Sequence, residues 1–362
     1  MKAYKLSDLC VIKYGKDHKG LNEGPIPVYG SGGVIRYVDR ALSDKPSVLI
    51  PRKGTLSNLF YVDKPFWTVD TLFWTEINNS KVIPKYLYYL LSTRNLASLN
   101  VGTAVPSLTA EILNEVSLEL PDLDNQAAIV DILSSFDNKI FANNRINDYL
   151  EKLATAFYKD FISDTSGEMG ALSDLVNLRK NPLKVGVRND LPYMPIDIIP
   201  SKSIGVSGFK PNSEAKSSLQ LFQKDDIVIG AMRVYFHRVV LAPCEGITRN
   251  TCFVLTPKNQ WYREYALLTC FQVEAIEYAN ARSKGSTMPY AVWENSFERY
   301  PVLIPSETKL KVFSRQLAPI IDTLRDSYKE ATKLAELRDE LLPKLISGEI
   351  DVSKIDLIYA AK

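Results

Sequence analysis

Histidine and cysteine are scarce in this chain. Two histidines, His18 and His237, and four cysteines, Cys10, Cys244, Cys252 and Cys270, occur in 362 residues. No cysteines form a C-x-x-C pair, so neither a zinc site of ordinary spacing nor a disulfide framework can be assembled. The cysteines read as reduced structural residues, and His237, beside Arg233 and Arg238, reads as a polar surface residue. No run approaches the ~20 apolar residues needed to cross a bilayer. The start, Met1-Lys2-Ala3-Tyr4-Lys5-Leu6-Ser7, lacks the apolar stretch of a signal peptide, which places the chain in the cytoplasm with no membrane partner.

Catalytic signatures are missing as well. Gly30-Ser31-Gly32-Gly33 fits neither a P-loop nor a dinucleotide-binding fingerprint and reads as a flexible turn between strands. Glu214-Ala215-Lys216 lies in a Ser/Asn/Lys loop without the Pro-Asp that a nuclease core pairs with it. A nucleophile elbow and the Asn-Pro-Pro-[Phe/Tyr] of amino-methyltransferases are absent too. The expectation is a chain that is not an enzyme and carries no metal or cofactor of its own.

What is present is a soluble composition, 46% hydrophobic and 24% charged, long enough for two or three domains. The net charge of +2 hides an alternation along the chain. Residues 1–120 hold 14 Lys+Arg against 11 Asp+Glu, and 167–304 hold 16 against 13. Residues 121–166 hold 4 against 8, and 305–362 hold 10 against 10. Two mildly basic blocks therefore suit a polyanion at two places.

The chain is written twice. Leu6-Ser7-Asp8-Leu9 returns as Leu172-Ser173-Asp174-Leu175, and Thr71-Leu72-Phe73 as Thr251-Cys252-Phe253, in a register that also matches Lys53 with Arg233. Gly102-Thr103-Ala104-Val105-Pro106 returns as Gly285-Ser286-Thr287-Met288-Pro289, and Leu118-Glu119-Leu120-Pro121 as Val302-Leu303-Ile304-Pro305. These matches keep their order, so the chain is a tandem duplication. Short β-rich runs broken by Gly, Pro, Asn and Asp, then a helix near 84–99 or 262–280, make each block an α+β module.

A helical segment follows each block. Apolar 3–4 spacing runs through Leu133, Phe136, Ile140, Asn143, Asn147, Leu150 and Phe157. The second copy keeps that register through Leu317, Ile320, Leu324, Leu334 and Leu341. This is the narrow seam of a coiled coil, in which a mid-seam Asn can fix register. Pro319 reads as the first turn of a new helix, giving each spacer a short helix and then a long one, near 135–162 and 319–346. Such a 28-residue helix spans ~42 Å.

The remaining residues suggest binding. In the first copy Arg52, Lys53, Thr55, Ser57 and Asn58 close a strand, with Ser31, Arg36, Thr103 and Ser107 as further candidates. In the second copy Arg233, Tyr235, His237 and Arg238 take the matching place. Arg179, Lys180, Arg188 and Arg249 join them, and so do Lys284, Ser286, Thr287 and Tyr290. Arg reads guanine and Asn reads adenine through bidentate contacts, while Lys and Arg hold phosphates. Trp67, Trp74 and Trp293 read as core. A two-headed adaptor for protein or glycan would also explain the duplication, though not cations at equivalent positions.

The ordered motifs resemble the specificity subunit of a type I restriction-modification enzyme. They are Leu-Ser-Asp-Leu opening each half, Ile50-Pro51-Arg52-Lys53-Gly54, Gly102–Leu108, Leu120-Pro121 with Gln126–Val130, and the closing Leu341–Ile350. The resemblance implies two target-recognition domains, 1–120 and 167–304, each binding half of a bipartite asymmetric target in double-stranded DNA. It implies spacers at 121–166 and 305–362 that pair as an antiparallel coiled coil in a pseudo-two-fold repeat. Those spacers would set the half-site separation and dock methyltransferase subunits, two of them, with restriction/translocase subunits joining through the complex. S-adenosylmethionine, ATP and Mg²⁺ would then belong to the partner subunits only.

Overall fold

The computed structural model describes residues 1–354 apart from 103–105 and 217. The chain divides into two compact units, 1–137 together with 336 onward, and 138–335.

In the first unit, strand Lys2–Lys5 pairs antiparallel with Ser117–Leu120. One helical turn, Leu6–Leu9, then buries both leucines, while the Asp8 carboxylate accepts the Lys5 N–H at 2.8 Å. A four-stranded antiparallel sheet follows in the order Cys10–Tyr14, Leu72–Ile77, Ser47–Pro51, Phe60–Val62. Beside it lies a three-stranded ribbon, Gly33–Val38, Ile26–Gly30 and Trp67–Thr68. Helix Pro84–Ser92 starts on a proline, whose missing N–H is harmless in a first turn, and turns Tyr86, Leu87, Leu90 and Leu91 inward. It ends sooner than its apolar run suggested; Leu96–Leu99 is a separate 3₁₀ turn.

The second unit repeats this plan. Gly167–Ala171 pairs with Pro301–Pro305, and Leu172–Leu175 forms the same turn with Asp174 accepting the Ala171 N–H at 2.8 Å. Its four-stranded sheet runs Val176–Leu178, Cys252–Pro257, Ile227–Gly230, Val239–Leu241, the same order as in the first. Individual hydrogen bonds recur. Asn78 donates to the Leu9 carbonyl at 2.8 Å, and Lys258 to that of Leu175 at 2.9 Å. The helix expected near 262–280 is two helices, Arg263–Phe271 and Val273–Ala281, because Gln272 between them is extended (ψ 146°). Trp67, Trp74 and Trp293 are buried. The four cysteines are unpaired, and burial pushes the Cys10 and Cys270 thiols up to about 12.

Each spacer is a single 41-residue helix, Leu123–Ser163 and Glu307–Ser347. The expected break before a long second helix is therefore absent, and Pro319 lies inside the helix. An interior proline costs ~3 kcal/mol. Leu317, Ile321 and Leu324 around it are buried in the core of the second unit, and burying each such side chain contributes about 1.5–3 kcal/mol, which outweighs that cost. With no break at Pro319 the stripe continues Phe313, Leu317, Ile321, Leu324, so Ile321 takes the fully buried seam place expected of Ile320.

The helices pair antiparallel. In the second unit the Asn143 amide donates to the Glu330 carboxylate at 2.8 Å, and Phe313 meets Phe157 and Phe161 with ring centroids 5.9 and 4.4 Å apart. In the first unit Arg338 bonds Asp137 at 2.9 Å, and Leu133 shares a core with Leu341. Leu133, Asn143 and Asn147 are fully buried, whereas Phe136, Ile140, Leu150, Phe157, Leu334 and Leu341 are half-buried. Among the described residues no helix is long and apolar enough to cross a membrane.

Both amide atoms of Asn147 are buried without a hydrogen-bond partner. Leaving such a group unsatisfied costs about 1–3 kcal/mol. Asn147→Leu is therefore expected to raise the thermal unfolding midpoint, and a lowered midpoint would show that the amide is engaged. Phe313→Ala, which empties a fully buried aromatic site, is expected to cost ~3–5 kcal/mol in a urea titration.

Candidate nucleic-acid interface

The strand-end loop of each unit hangs on the same backbone frame. Arg52 and Lys53 both donate their N–H to the Thr71 carbonyl, at 2.8 and 3.3 Å. Ala231 and Met232 donate to Thr251 at 2.9 and 3.3 Å. The next residue reaches a proline carbonyl, Gly54 to Pro106 at 3.2 Å and Arg233 to Pro289 at 2.7 Å. Leu108 then donates to Arg52 at 2.9 Å, and Ala291 to Ala231 at 2.8 Å. This frame equates Lys53 with Met232 and Gly54 with Arg233, one residue away from the expected Lys53–Arg233 match. Equivalence follows the backbone bonds, and the two cations only happened to fall nearly in register.

The third position of the frame is left-handed in both units: Gly54 has φ +91° and Arg233 φ +50°. Glycine adopts that region freely, whereas a residue with a Cβ loses about 1–2 kcal/mol. The second unit thus keeps an arginine where the backbone favours glycine. The Arg233 Nε is buried without a partner.

Around the first frame, Lys53, Thr55 and Ser57 are exposed, and Ser107 bridges to Lys53 through its backbone. The Asn58 amide donates to the Ser31 carbonyl at 3.1 Å, which brings the Gly30–Gly33 turn beside this loop. Arg52 is partly held, its guanidinium donating to the Asp70 carbonyl at 3.2 Å and lying 5.4 Å from the Tyr14 ring centre. Arg36 donates to the Leu21 carbonyl at 3.1 Å. Thr103 lies outside the described residues.

Around the second frame, Lys284 and Tyr290 exchange backbone hydrogen bonds of 2.9 Å, closing a hairpin that carries exposed Ser286 and Thr287. Tyr290 also bridges to Met232, and exposed Tyr235 follows Arg233 by two residues. Arg249 is exposed, two residues before the Thr251 carbonyl. Arg238 donates to the Ile196 carbonyl and lies 5.3 Å from the Phe236 ring centre.

His237 corrects the surface reading. It is only 5% exposed, its Nε2 lies 2.8 Å from the Phe271 carbonyl oxygen, and burial lowers its pKa. Three other candidates are engaged by carboxylates. Arg179 grips buried Asp226 through bonds of 2.7 and 3.2 Å, and Asp226 also accepts from the Thr256 hydroxyl and from the Gln223 backbone N–H. Lys180 bonds Glu294 at 2.7 Å, and Arg188 bonds Asp190 at 2.9 Å. The structure also adds two residues not singled out from sequence, Phe236 and Met288, both exposed on these loops. The signal for Phe236 was its place in an aromatic pair between cations; Met288 had none.

The chain carries two copies of one loop frame, faced with different side chains. A family model described as the type I restriction modification DNA specificity domain matches residues 1–152. The type I restriction enzyme MjaIX specificity subunit of Methanocaldococcus jannaschii is 23% identical over 371 residues, covering 91% of this chain and 84% of that protein. The chain is thus similar to type I specificity subunits over most of its length. The HindI specificity subunit of Haemophilus influenzae is another relative, 21% identical over 365 residues, with 76% of this chain and 79% of the relative covered. The crystal structure of a type I restriction-modification S subunit from M. genitalium has the same fold, with a TM-score of 0.65 at 17% identity and 95% of each chain covered.

Two substitutions at the left-handed position should act in opposite directions. Gly54→Ala places a Cβ at φ +91°, 3.2 Å from the Ser31 Oγ, and is expected to destabilise the protein by about 1–2 kcal/mol. Arg233→Gly removes the strain and is expected to raise the thermal midpoint slightly. A drop in midpoint for Arg233→Gly would show that the arginine side chain stabilises the loop by more than its backbone costs.

Proposed function

We propose that this chain is the specificity subunit, the non-catalytic reader, of a type I restriction-modification complex, each unit binding one half of a bipartite asymmetric target in double-stranded DNA. One observation carries the reading. The same hydrogen-bonded frame presents Arg52-Lys53-Gly54 in one unit and Ala231-Met232-Arg233 in the other. Identical frames with unlike side chains suit two half-sites of unlike sequence.

Affinity comes chiefly from phosphates, through cations such as Lys53, Arg233 and Lys284 that have no carboxylate partner among the described residues, and falls steeply with salt. Discrimination comes from a few base-edge contacts worth about 1–3 kcal/mol each. The paired spacer helices set the separation of the half-sites and dock two methyltransferase subunits, with the restriction subunits joining through the complex. S-adenosylmethionine, ATP and Mg²⁺ are held by those partners, and the complex works in the cytoplasm. The naming of the relatives as specificity subunits of restriction enzymes supports this division of labour.

The test is a map of methylated sites made by the subunit together with its methyltransferase partners. Lys53→Ala is expected to relax or abolish one half-site, and Arg233→Ala the other. Equal damage to both halves from either change would contradict separate reading. Absence of salt-sensitive duplex binding would favour a scaffold for protein or glycan instead.

A further inference from the structure

The turn after Arg233 is built in an unusual way. Val234–Phe236 is one 3₁₀ turn set between two left-handed residues, Arg233 at φ +50° and His237 at φ +53°. Strain of this kind persists only where the surroundings enforce it. Here Val234 is buried, the Arg233 N–H is held by Pro289, and the His237 carbonyl accepts from the Lys202 N–H at 2.8 Å. The His237 ring is fastened to Phe271, and the Ser201 hydroxyl donates to the Phe236 carbonyl.

All this anchoring holds two aromatic rings in solvent. Tyr235 is 47% and Phe236 41% exposed, with ring centres 4.9 Å apart. The hairpin bonded to Arg233 adds Met288 at 51% and Tyr290 at 48%. Residues 231–241 and 281–293 contain Arg233, Arg238, Arg282 and Lys284, and no Asp or Glu. An apolar tip on loops whose own charged residues are all cationic matches the chemistry of a nucleic acid, whose bases are apolar on their faces and whose backbone is anionic. In the first unit the loop on the same frame carries Thr55, Ser57 and Asn58 and no aromatic residue.

Resting on the DNA reading above, we propose that Tyr235 and Phe236 form a rigid wedge that enters a base step of the half-site read by the second unit, unstacking it. Side chains inserted in this way unstack and kink duplex DNA, and sequence then contributes through how easily a step opens. The two half-sites are therefore read by different physics. Polar contacts serve the first, and deformation joined to contact serves the second. Pinning the turn in advance keeps the ordering cost of insertion small.

The experiment uses the full chain with its methyltransferase subunits and a duplex carrying the mapped target. 2-Aminopurine replaces one base at a time across both half-sites, and its fluorescence reports unstacking. The expected result is a rise at one step only, in the half-site that Arg233→Ala relaxes. Tyr235→Ala/Phe236→Ala removes that rise and weakens binding ~10–100-fold, the range set by base–aromatic stacking. Phe236→Leu, still an apolar wedge, keeps the rise. Because both rings are exposed, the thermal midpoint of these variants stays that of the parent. Tight, salt-sensitive binding with no rise at any step overturns the wedge and leaves the DNA reading intact, as does a rise that survives the double substitution. Loss of the methyltransferase subunits from the double variant, with DNA unperturbed in the parent, assigns the tip to a protein interface. If the parent complex binds no duplex, the DNA reading itself fails.

Discussion

Two backbone amides sharing one carbonyl oxygen hold each strand-end loop in place. In the first unit the acceptor is Thr71, and in the second Thr251. Each of these threonines leads directly into an inner strand of its four-stranded sheet, Leu72–Ile77 or Cys252–Pro257. The loop therefore inherits the rigidity of a buried sheet. Since main-chain atoms do the holding, residues 52–54 and 231–233 can change identity without moving the frame. A duplicated protein can in this way keep two copies of one support while the side chains they present diverge.

Divergence has gone furthest at the left-handed position. The first unit has glycine there, which fits the backbone freely and presents nothing. The second has arginine, at a conformational cost, and follows it with Tyr235 and Phe236 on a turn closed by another left-handed residue, His237. Burial of Val234 and His237 fixes this geometry from beneath. One face of the turn is core and the other is open to solvent. The same rule governs the cations, since an arginine gripped by a buried carboxylate, as Arg179 is by Asp226, stiffens the unit but has its charge already paired.

Much of the architecture was legible in the residue string because it is local or periodic. Leu-Ser-Asp-Leu announces a turn of helix whose aspartate closes on the backbone three residues earlier, and it does so twice. The 3–4 spacing announced a seam with asparagines in its middle, and both are buried. Where the reading failed, a distant contact had outweighed a local rule. Pro319 should start a helix, but the core packed against Leu317, Ile321 and Leu324 holds the helix through it, and that continuity moves the seam from Ile320 to Ile321. His237 has a polar side chain between arginines, yet the Phe271 carbonyl, 34 residues away, draws it inside. The match of Lys53 to Arg233 slipped by one because side-chain charge is a poor guide to backbone register.

The duplication, the alternation of α+β blocks with long helices, and the lack of a reactive centre's usual signatures were determined by the sequence alone. Each is carried by residue type and spacing within a few turns of chain. Only the tertiary structure decided which charges are free. Asp226 lies 47 residues from Arg179, and Glu294 lies 114 residues from Lys180. It also decided which loop carries exposed rings and which backbone position is left-handed, for these depend on what packs beneath the loop. Ion pairing and burial are set by neighbours in space, and no spacing rule along the chain encodes them.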